Sequence, residues 1–197
     1  MSGMWFTNDW YVFHGVIDKK TCDRIKENDI RWLTATVKPK QEEEIKKEHN
    51  DLNEPDYRKS DVCWIDDKWI YELIWSYMEE ANKQSGWGLD INGAESMQLT
   101  RYKEGDFYSW HRDGISDNIT SQDRVRKISL TLVLNDDFEG GDLEFAVYSE
   151  ENCEITPIKA KAGDMIFFTS GTEHRVTPIT KGTRYSLVTW FVGPAIR

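Results

Sequence analysis

No run in the chain approaches the ~20 consecutive apolar residues of a membrane span, so a spanning helix is not expected. Cysteine is scarce. Cys22, Cys63 and Cys153 are isolated and odd in number, and no C-x-x-C pair exists. That excludes a disulfide framework and a zinc-ribbon type of site, and it fits a reducing, intracellular setting. The opening residues Met1-Ser2-Gly3-Met4-Trp5 lack a basic segment followed by an apolar one, so no secretory signal is visible and the expected location is cytoplasmic. Positive charge is short as well. The net charge of -10 disfavours a general nucleic-acid binder or a protein that coats anionic membranes, while leaving room for a small basic pocket.

What is present is a globular composition: 39% hydrophobic residues, 13% aromatic, and nine tryptophans in 197 residues. This suits one domain with a sizeable core. No internal repeat or second-domain boundary is visible, and the oligomeric state is left open. Residues 5–17 read as a strand leading into a helix. Asp18 is the expected N-cap, Ile17 and Cys22 sit where a hydrophobic staple would pack, and the helix should run to about Glu27. Residues 38–60 are rich in Glu and Lys and read as a solvated loop; the functional alternative is a mobile flap over a site. Residues 67–82 give the clearest helix, because Trp69, Ile70, Leu73, Ile74, Tyr77, Met78 and Ala81 recur at three- and four-residue steps.

From residue 96 the pattern changes to strand. Met97–Tyr102 alternates, Phe107–Asp113 forms another strand, and Ile128, Leu130, Leu132 and Leu134 line one face of a third that ends at Asn135. Further strands are predicted over 142–147, 153–159, 164–169, 173–178 and 184–192, with turns at Gly163, Gly171 and Gly182. Many short strands with regular turn signals predict a mainly β sandwich or barrel of jelly-roll type. Residues 1–95 would then supply helical support and the charged loop, and residues 96–197 the jelly-roll core of a single domain.

The chemistry concentrates in His111-Arg112-Asp113, in His174 much later, and in Arg184 ten residues beyond that. On a strand, residues i and i+2 share a face, so His111 and Asp113 can reach one ion while Arg112 points away. Alone, His-x-Asp is a weak signal, and a surface histidine paired with an aspartate is its ordinary reading. With His174 at the start of a predicted strand, the set becomes two histidines and a carboxylate on one face of a metal. That leaves coordination positions open, the pattern of non-heme iron(II) oxygenases. Arg184 and Ser186 form a second same-face pair, and a guanidinium fork plus a hydroxyl suits one carboxylate. Tyr102, on the strand before the His-x-Asp, is balanced between a phenol donor to the same pocket and an ordinary core tyrosine. His14 and His49 carry no assigned role. His111-Arg112-Asp113 followed by Asn118 also fits a protein-kinase catalytic loop, but no glycine-rich loop precedes it, no Asp-Phe-Gly follows, and the chain is too short for both lobes.

At these residues the chain resembles the iron(II)- and 2-oxoglutarate-dependent dioxygenases, in particular the prolyl 4-hydroxylase-like branch. The likeness runs through Met97–Gly105, Tyr108–Asp113, Ser129–Asn135, Gly140–Leu143, Ala162–Asp164, His174–Pro178 and Gly182–Ser186, about half the chain, in the family's order. The resemblance implies a double-stranded β-helix (jelly-roll, cupin-like) with N-terminal helices flanking it. It implies that His111, Asp113 and His174 ligate Fe(II) and are the catalytic set. Arg184, with Tyr102 and Ser186, would bind the cosubstrate 2-oxoglutarate, with O2 as oxidant and ascorbate as an optional reductant. Val133 stands where some protein prolyl hydroxylases carry a second pocket tyrosine. The implied reaction hydroxylates an unactivated C–H bond, with succinate and CO2 as co-products, and a prolyl residue in a peptide or protein is the first expectation. A small-molecule substrate is an alternative. A nucleic-acid demethylase is disfavoured, because Thr100-Arg101-Tyr102 replaces an N-x-Y and Trp190 stands where a second arginine would follow the clamp. The rival from another class is a non-catalytic cupin-like metal-binding or interaction module, for which the carboxylate clamp would have no purpose.

Overall fold

Asp18 begins the first helix: its carboxylate accepts the Thr21 backbone N–H at 2.7 Å, and α1 runs Lys19–Lys26 with Cys22 and Ile25 buried. Ile17, just before the cap, is buried in the same cluster as Cys22. The computed structural model describes residues 8–27, 32–37, 57–114, 124–149 and 152–195. The second described helix, α2, spans Lys68–Gln84 and buries Ile70, Ile74, Met78 and Ala81, the inner part of the predicted stripe. Full burial of Ile70, Ile74 and Met78 stabilises by about 1.5–3 kcal/mol each.

The strands are β1 (Trp10–Phe13), β2 (Leu33–Val37), β3 (Arg58–Ile65), β4 (Gly93–Ala94), β5 (Met97–Tyr102), β6 (Phe107–His111) and β7 (Arg124–Val133). They continue as β8 (Phe138–Gly140), β9 (Leu143–Tyr148), β10 (Cys153–Ile158), β11 (Met165–Thr169), β12 (Glu173–Val176), β13 (Ile179–Gly182) and β14 (Arg184–Pro194). One antiparallel sheet follows the order β1-β11-β7-β14-β5-β3-β6-β12-β9-β10, with β2 on β3 and β4 on β14, and β13 pairs separately with β8. The sheet curls back on itself. Trp10, on its first strand, stacks on Phe145 of β9 at 4.9 Å, and Phe168 of β11 meets the same ring edge-on at 5.0 Å. The fold is the mainly β jelly roll expected from the strand pattern.

The central strands are buried on both faces, and the two faces differ in kind. On β7, Ile128, Leu130 and Leu132 join the main core with α1 and α2, as do Met97 and Leu99 of β5 and Leu187 and Phe191 of β14. Trp75 of α2 meets Phe191 edge-on at 5.8 Å, and Tyr77 meets Phe13 at 5.1 Å. Residues of the other parity, such as Thr131, Thr100, Ser186 and Arg184, line an interior cavity. Period-two alternation therefore sorts each strand into a helix-packed apolar face and a polar cavity face.

Three expectations need correction. The stretch read as a loop over 38–60 ends in strand: residues 58–60 open β3, which lies between β5 and β6 in the sheet. The flap alternative rests on residues 38–56, outside the described residues, as do His49 and Asn118. The strand expected over 107–113 stops at His111, so Arg112 and Asp113 have left the ladder. Finally, β7 begins at Arg124 and ends at Val133, two residues before the expected stop at Asn135.

Candidate metal centre and cosubstrate pocket

His111 closes β6 and His174 lies on β12, and the two residues are direct register partners across adjacent antiparallel strands. That pairing is what brings residues so distant in sequence side by side. The imidazole centroids are 4.1 Å apart. Each ring is fixed by a backbone carbonyl two residues earlier. His111 Nδ1 lies 2.8 Å from Ser109 O and His174 Nδ1 lies 3.0 Å from Thr172 O. A carbonyl can only accept, so each Nδ1 donates, and Nε2 is the atom that each ring turns toward Asp113.

Asp113 completes the set from beyond the strand end. Its Oδ1 lies 3.7 Å from His111 Nε2 and its Oδ2 lies 3.7 Å from His174 Nε2, and one ligand atom from each of the three residues falls within 4.8 Å of the others. Ligands in adjacent positions about 2.1 Å from one ion lie about 3 Å apart, so small side-chain rotations bring the three donors to one centre. The carboxylate is anchored by Ser129, whose hydroxyl donates to Oδ2 at 2.7 Å and contacts the Ser170 hydroxyl at 2.9 Å. The next residue is tied down too: Gly114 N–H donates to Ser170 O at 2.7 Å, and a Cβ there would sit 2.9 Å from Ser170 Cβ.

Protonation also favours a metal. Burial, together with the neighbouring His174, pushes the His111 imidazole down to about 3, against the opposing pull of Asp113 and the Ser109 carbonyl. It is therefore neutral at physiological pH, as a ligand must be. Burial raises the Asp113 carboxyl, but His174, His111, Ser129 and Trp190 outweigh it and hold the group below the ordinary carboxylate value. Two imidazoles and one carboxylate fit iron(II) and leave half of an octahedron open.

The same cavity, about 260 Å³, is also lined by Arg184, Ser186 and Tyr102. Arg184 pairs in register with Tyr102 on β5, its guanidinium carbon lies 5.7 Å from that ring's centre, and it donates to Ser186 Oγ at 3.0 Å. It is only 2% exposed, and among the described residues no carboxylate pairs with it. Burial pushes its pKa down, opposed by Tyr102 and Asp142, yet a guanidinium keeps its charge. Its stem passes over Gly141, where a Cβ would lie 3.0 Å from Arg184 Cδ and 2.3 Å from Ile179 Cδ1 at a φ of +64. Only glycine suits that turn.

All the site residues named from sequence thus surround one cavity. Sequence reasoning missed Thr100, Thr131, Gln98 and Trp190 in its lining, and Ser129 beneath Asp113. The missing signal was available. Counting back by two from Tyr102 yields Thr100 and Gln98, and counting forward by two from Ser186 yields Val188 and Trp190. Val133, which replaces a tyrosine of some relatives, packs instead with Phe145 and Phe168. Arg58 also lines the cavity, whereas Arg112 pairs with Glu173 at 3.2 Å and Trp110 lies under Arg175 at 4.6 Å.

Comparison with known proteins agrees with this geometry. A family model, the 2OG-Fe(II) oxygenase superfamily, matches residues 97–192. A PKHD-type hydroxylase of Stenotrophomonas maltophilia (strain R551-3) is 35% identical over 97 residues, 47% of this chain and 41% of that protein. The match thus spans less than half the length of that relative. A PKHD-type hydroxylase of Synechococcus sp. (strain CC9311) is 28% identical over 180 residues, covering 89% of this chain and 74% of the relative. In fold, a Pseudomonas putida prolyl-4-hydroxylase superposes with a TM-score of 0.66 at 21% identity, covering 94% of this chain and 92% of that one. The segment that matches the 2OG-Fe(II) oxygenase superfamily, residues 97–192 and just under half of the chain, encloses His111, Asp113, His174 and Arg184 together.

Proposed function

We propose that the protein is an iron(II)- and 2-oxoglutarate-dependent dioxygenase that hydroxylates an unactivated C–H bond of a prolyl residue in a peptide or protein. The superfamily match over residues 97–192, with the His-Asp-His site inside it, implies iron(II), 2-oxoglutarate and dioxygen as the cofactor set. The observation that carries the reading is Arg184: a guanidinium buried to 2% exposure, without a carboxylate partner among the described residues, in the cavity that holds the His-Asp-His cluster. An unpaired buried cation is costly, and a ligand carboxylate relieves that cost. The prolyl assignment draws on the prolyl-4-hydroxylase likeness in fold.

In this reading His111, Asp113 and His174 hold the iron. Arg184 takes the distal carboxylate of 2-oxoglutarate through its fork, with Ser186 and Tyr102 beside it. Bound iron(II) supplies the oxidising chemistry: dioxygen gives one oxygen atom to the substrate carbon and one to succinate as 2-oxoglutarate loses CO2. The protein's own part is geometric. Ser129 and the Ser109 and Thr172 carbonyls fix the donor atoms, and Leu143, Phe168 and Val176 keep that end of the cavity apolar. Trp64 and Trp190, ring centres 6.2 Å apart, form an aromatic wall on which a prolyl ring can lie. Cys22, Cys63 and Cys153 are free thiols, which supports a reducing, cytoplasmic setting.

The test is turnover without substrate, then with it. Purified protein given iron(II), ascorbate and 2-oxoglutarate should release succinate slowly, and a peptide screen should find a prolyl peptide that gains sixteen daltons and speeds the release. Absence of both 2-oxoglutarate binding and succinate would leave a non-catalytic cupin-like module. A gain of oxygen on a small molecule or nucleic acid alone would move the substrate class.

A further inference from the structure

A second guanidinium occupies the same cavity. Arg58, at the start of β3, is 8% exposed. Its Nε donates to Ser60 Oγ and its Nη2 to Gln98 Oε1, both at 2.8 Å, and among the described residues no carboxylate pairs with it. The other arginine of the lining, Arg126, is matched, because Glu95 accepts from it at 2.7 and 2.6 Å. Arg58 is thus held in place by neutral oxygens alone. Neutral acceptors orient a guanidinium without cancelling its charge.

Charge balance isolates this group. Iron(II) and the 2-oxoglutarate dianion together carry no net charge, Asp113 offsets the charge of one guanidinium, and Arg126 is satisfied by Glu95. One positive charge then remains in the cavity after the family's cofactors are in place. Position separates its role from that of Arg184. Tyr102 pairs with Arg184 at one end of β5, while Gln98, which holds Arg58, lies four residues back, roughly 13 Å along the strand. Gln98 pairs in register with Trp64 and Val188, so Arg58 serves the end of the cavity where Trp64 is 48% exposed. The guanidinium also lies 4.6 Å over Tyr108, whose ring stacks on His111 at 3.6 Å with 19° between the planes. A ligand group held by Arg58 is one aromatic layer from a metal-ligating imidazole.

We propose that Arg58 anchors a carboxylate of the substrate, so that the protein oxidises a molecule whose carboxylate lies close to the reacting carbon. The inference rests on the dioxygenase reading above and narrows its substrate class. The carboxylate can belong to an acidic residue beside the target prolyl residue, or to the chain terminus of the prolyl residue itself. Both present the same planar anion to the fork.

The test uses the full chain loaded with manganese(II) and 2-oxoglutarate, with binding read by calorimetry and by tryptophan fluorescence. The first titration, of 2-oxoglutarate into wild type, checks the dioxygenase reading by itself; no binding there defeats that reading and this one with it. The probes are then two acid and amide pairs: acetyl-Pro-Glu-amide against acetyl-Pro-Gln-amide, and acetyl-proline against acetyl-prolinamide. The expected result is about tenfold or more tighter binding of the acid in one pair, since a charge-assisted bond outweighs a neutral one. The pair that shows it identifies the source of the carboxylate. In Arg58→Met the preference should vanish while 2-oxoglutarate affinity stays within about twofold. Should Arg58→Met not fold, Arg58→Gln, which keeps a hydrogen-bonding head without the charge, takes its place. Equal binding of acid and amide in both pairs, no binding of any probe, an acid preference that survives loss of the charge, or loss of 2-oxoglutarate from the Arg58 variant would each overturn the proposal.

Discussion

Replacing Arg184 with methionine keeps an unbranched stem in the cavity wall and deletes the fork. Two effects of opposite sign follow. The guanidinium is 2% exposed and has no carboxylate partner in hydrogen-bond contact among the described residues, so in the ligand-free protein it is a desolvated charge supported by Ser186 Oγ, the Tyr102 ring and the field of Asp142. Its removal should leave the ligand-free protein as stable as wild type or more so, because an apolar side chain of similar volume replaces a poorly compensated ion. Binding should move the other way. Loss of one partner of a buried, hydrogen-bonded charge pair costs about 2–5 kcal/mol, which is roughly 30- to 4,000-fold in affinity at 1.4 kcal/mol per decade. The assay is calorimetric titration of 2-oxoglutarate into the manganese(II) protein, beside thermal denaturation of both proteins without ligand. Arg184→Lys, which keeps charge but not the fork, should fall between wild type and Arg184→Met. Unchanged 2-oxoglutarate affinity in Arg184→Met, with the protein still folded, would refute the clamp.

Other consequences are equally direct. Ser129→Ala removes the hydroxyl that holds Asp113 Oδ2 at 2.7 Å, and should weaken metal binding about 10- to 100-fold, measured by competition with a chromophoric chelator. In the metal-free protein, His111 is pushed from 6.5 down to about 3, so between those values the unfolded chain binds a proton that the folded one does not. Stability should therefore be fully present above pH 6.5 and be lost as pH falls toward 3, by an amount on the order of several kcal/mol. The lowered Asp113 carboxyl adds to the loss at the acid end. Urea titrations at stepped pH check this, and a flat profile from pH 7 to 4 would contradict the burial argument. Ile74→Ala, in the fully buried stripe of α2, should cost about 2–5 kcal/mol in unfolding free energy, with no change in 2-oxoglutarate affinity measured below the melting temperature.

The parts of the structure that were legible in the sequence share a cause. The stripe from Ile70 to Ala81 packs against one apolar face, so its period survives as α2. His111, Asp113, His174 and Arg184 were legible because few patterns combine those residue types on same-face spacings. What escaped notice was β3. It opens Arg58-Lys59-Ser60, which reads as loop, yet Arg58 lines the polar cavity and donates to Ser60, while Asp61 just beyond pairs with Arg101 at 2.7 Å. Binary patterning assumes that an inward side chain is apolar, and a strand whose inner face is polar breaks that assumption. Gln98 and Thr100 were passed over for the same reason. The early end of β6 was hidden because Asp113 keeps the spacing of a strand while Ser129 and the Gly114–Ser170 bond take over its support.

The division of β5, β7 and β14 into two faces has an outcome for how the protein can be altered. Side chains such as Gln98, Thr131 and Val188 can be exchanged to reshape the recognition space without disturbing Leu99, Leu130 or Leu187, whose packing secures the sheet to its helices. An insertion of a single residue in any of these three strands does the reverse. It transposes the two sets at once, sending leucines toward the reactants and charged groups into oil, so that retuning by substitution is tolerated where a shift of frame is ruinous.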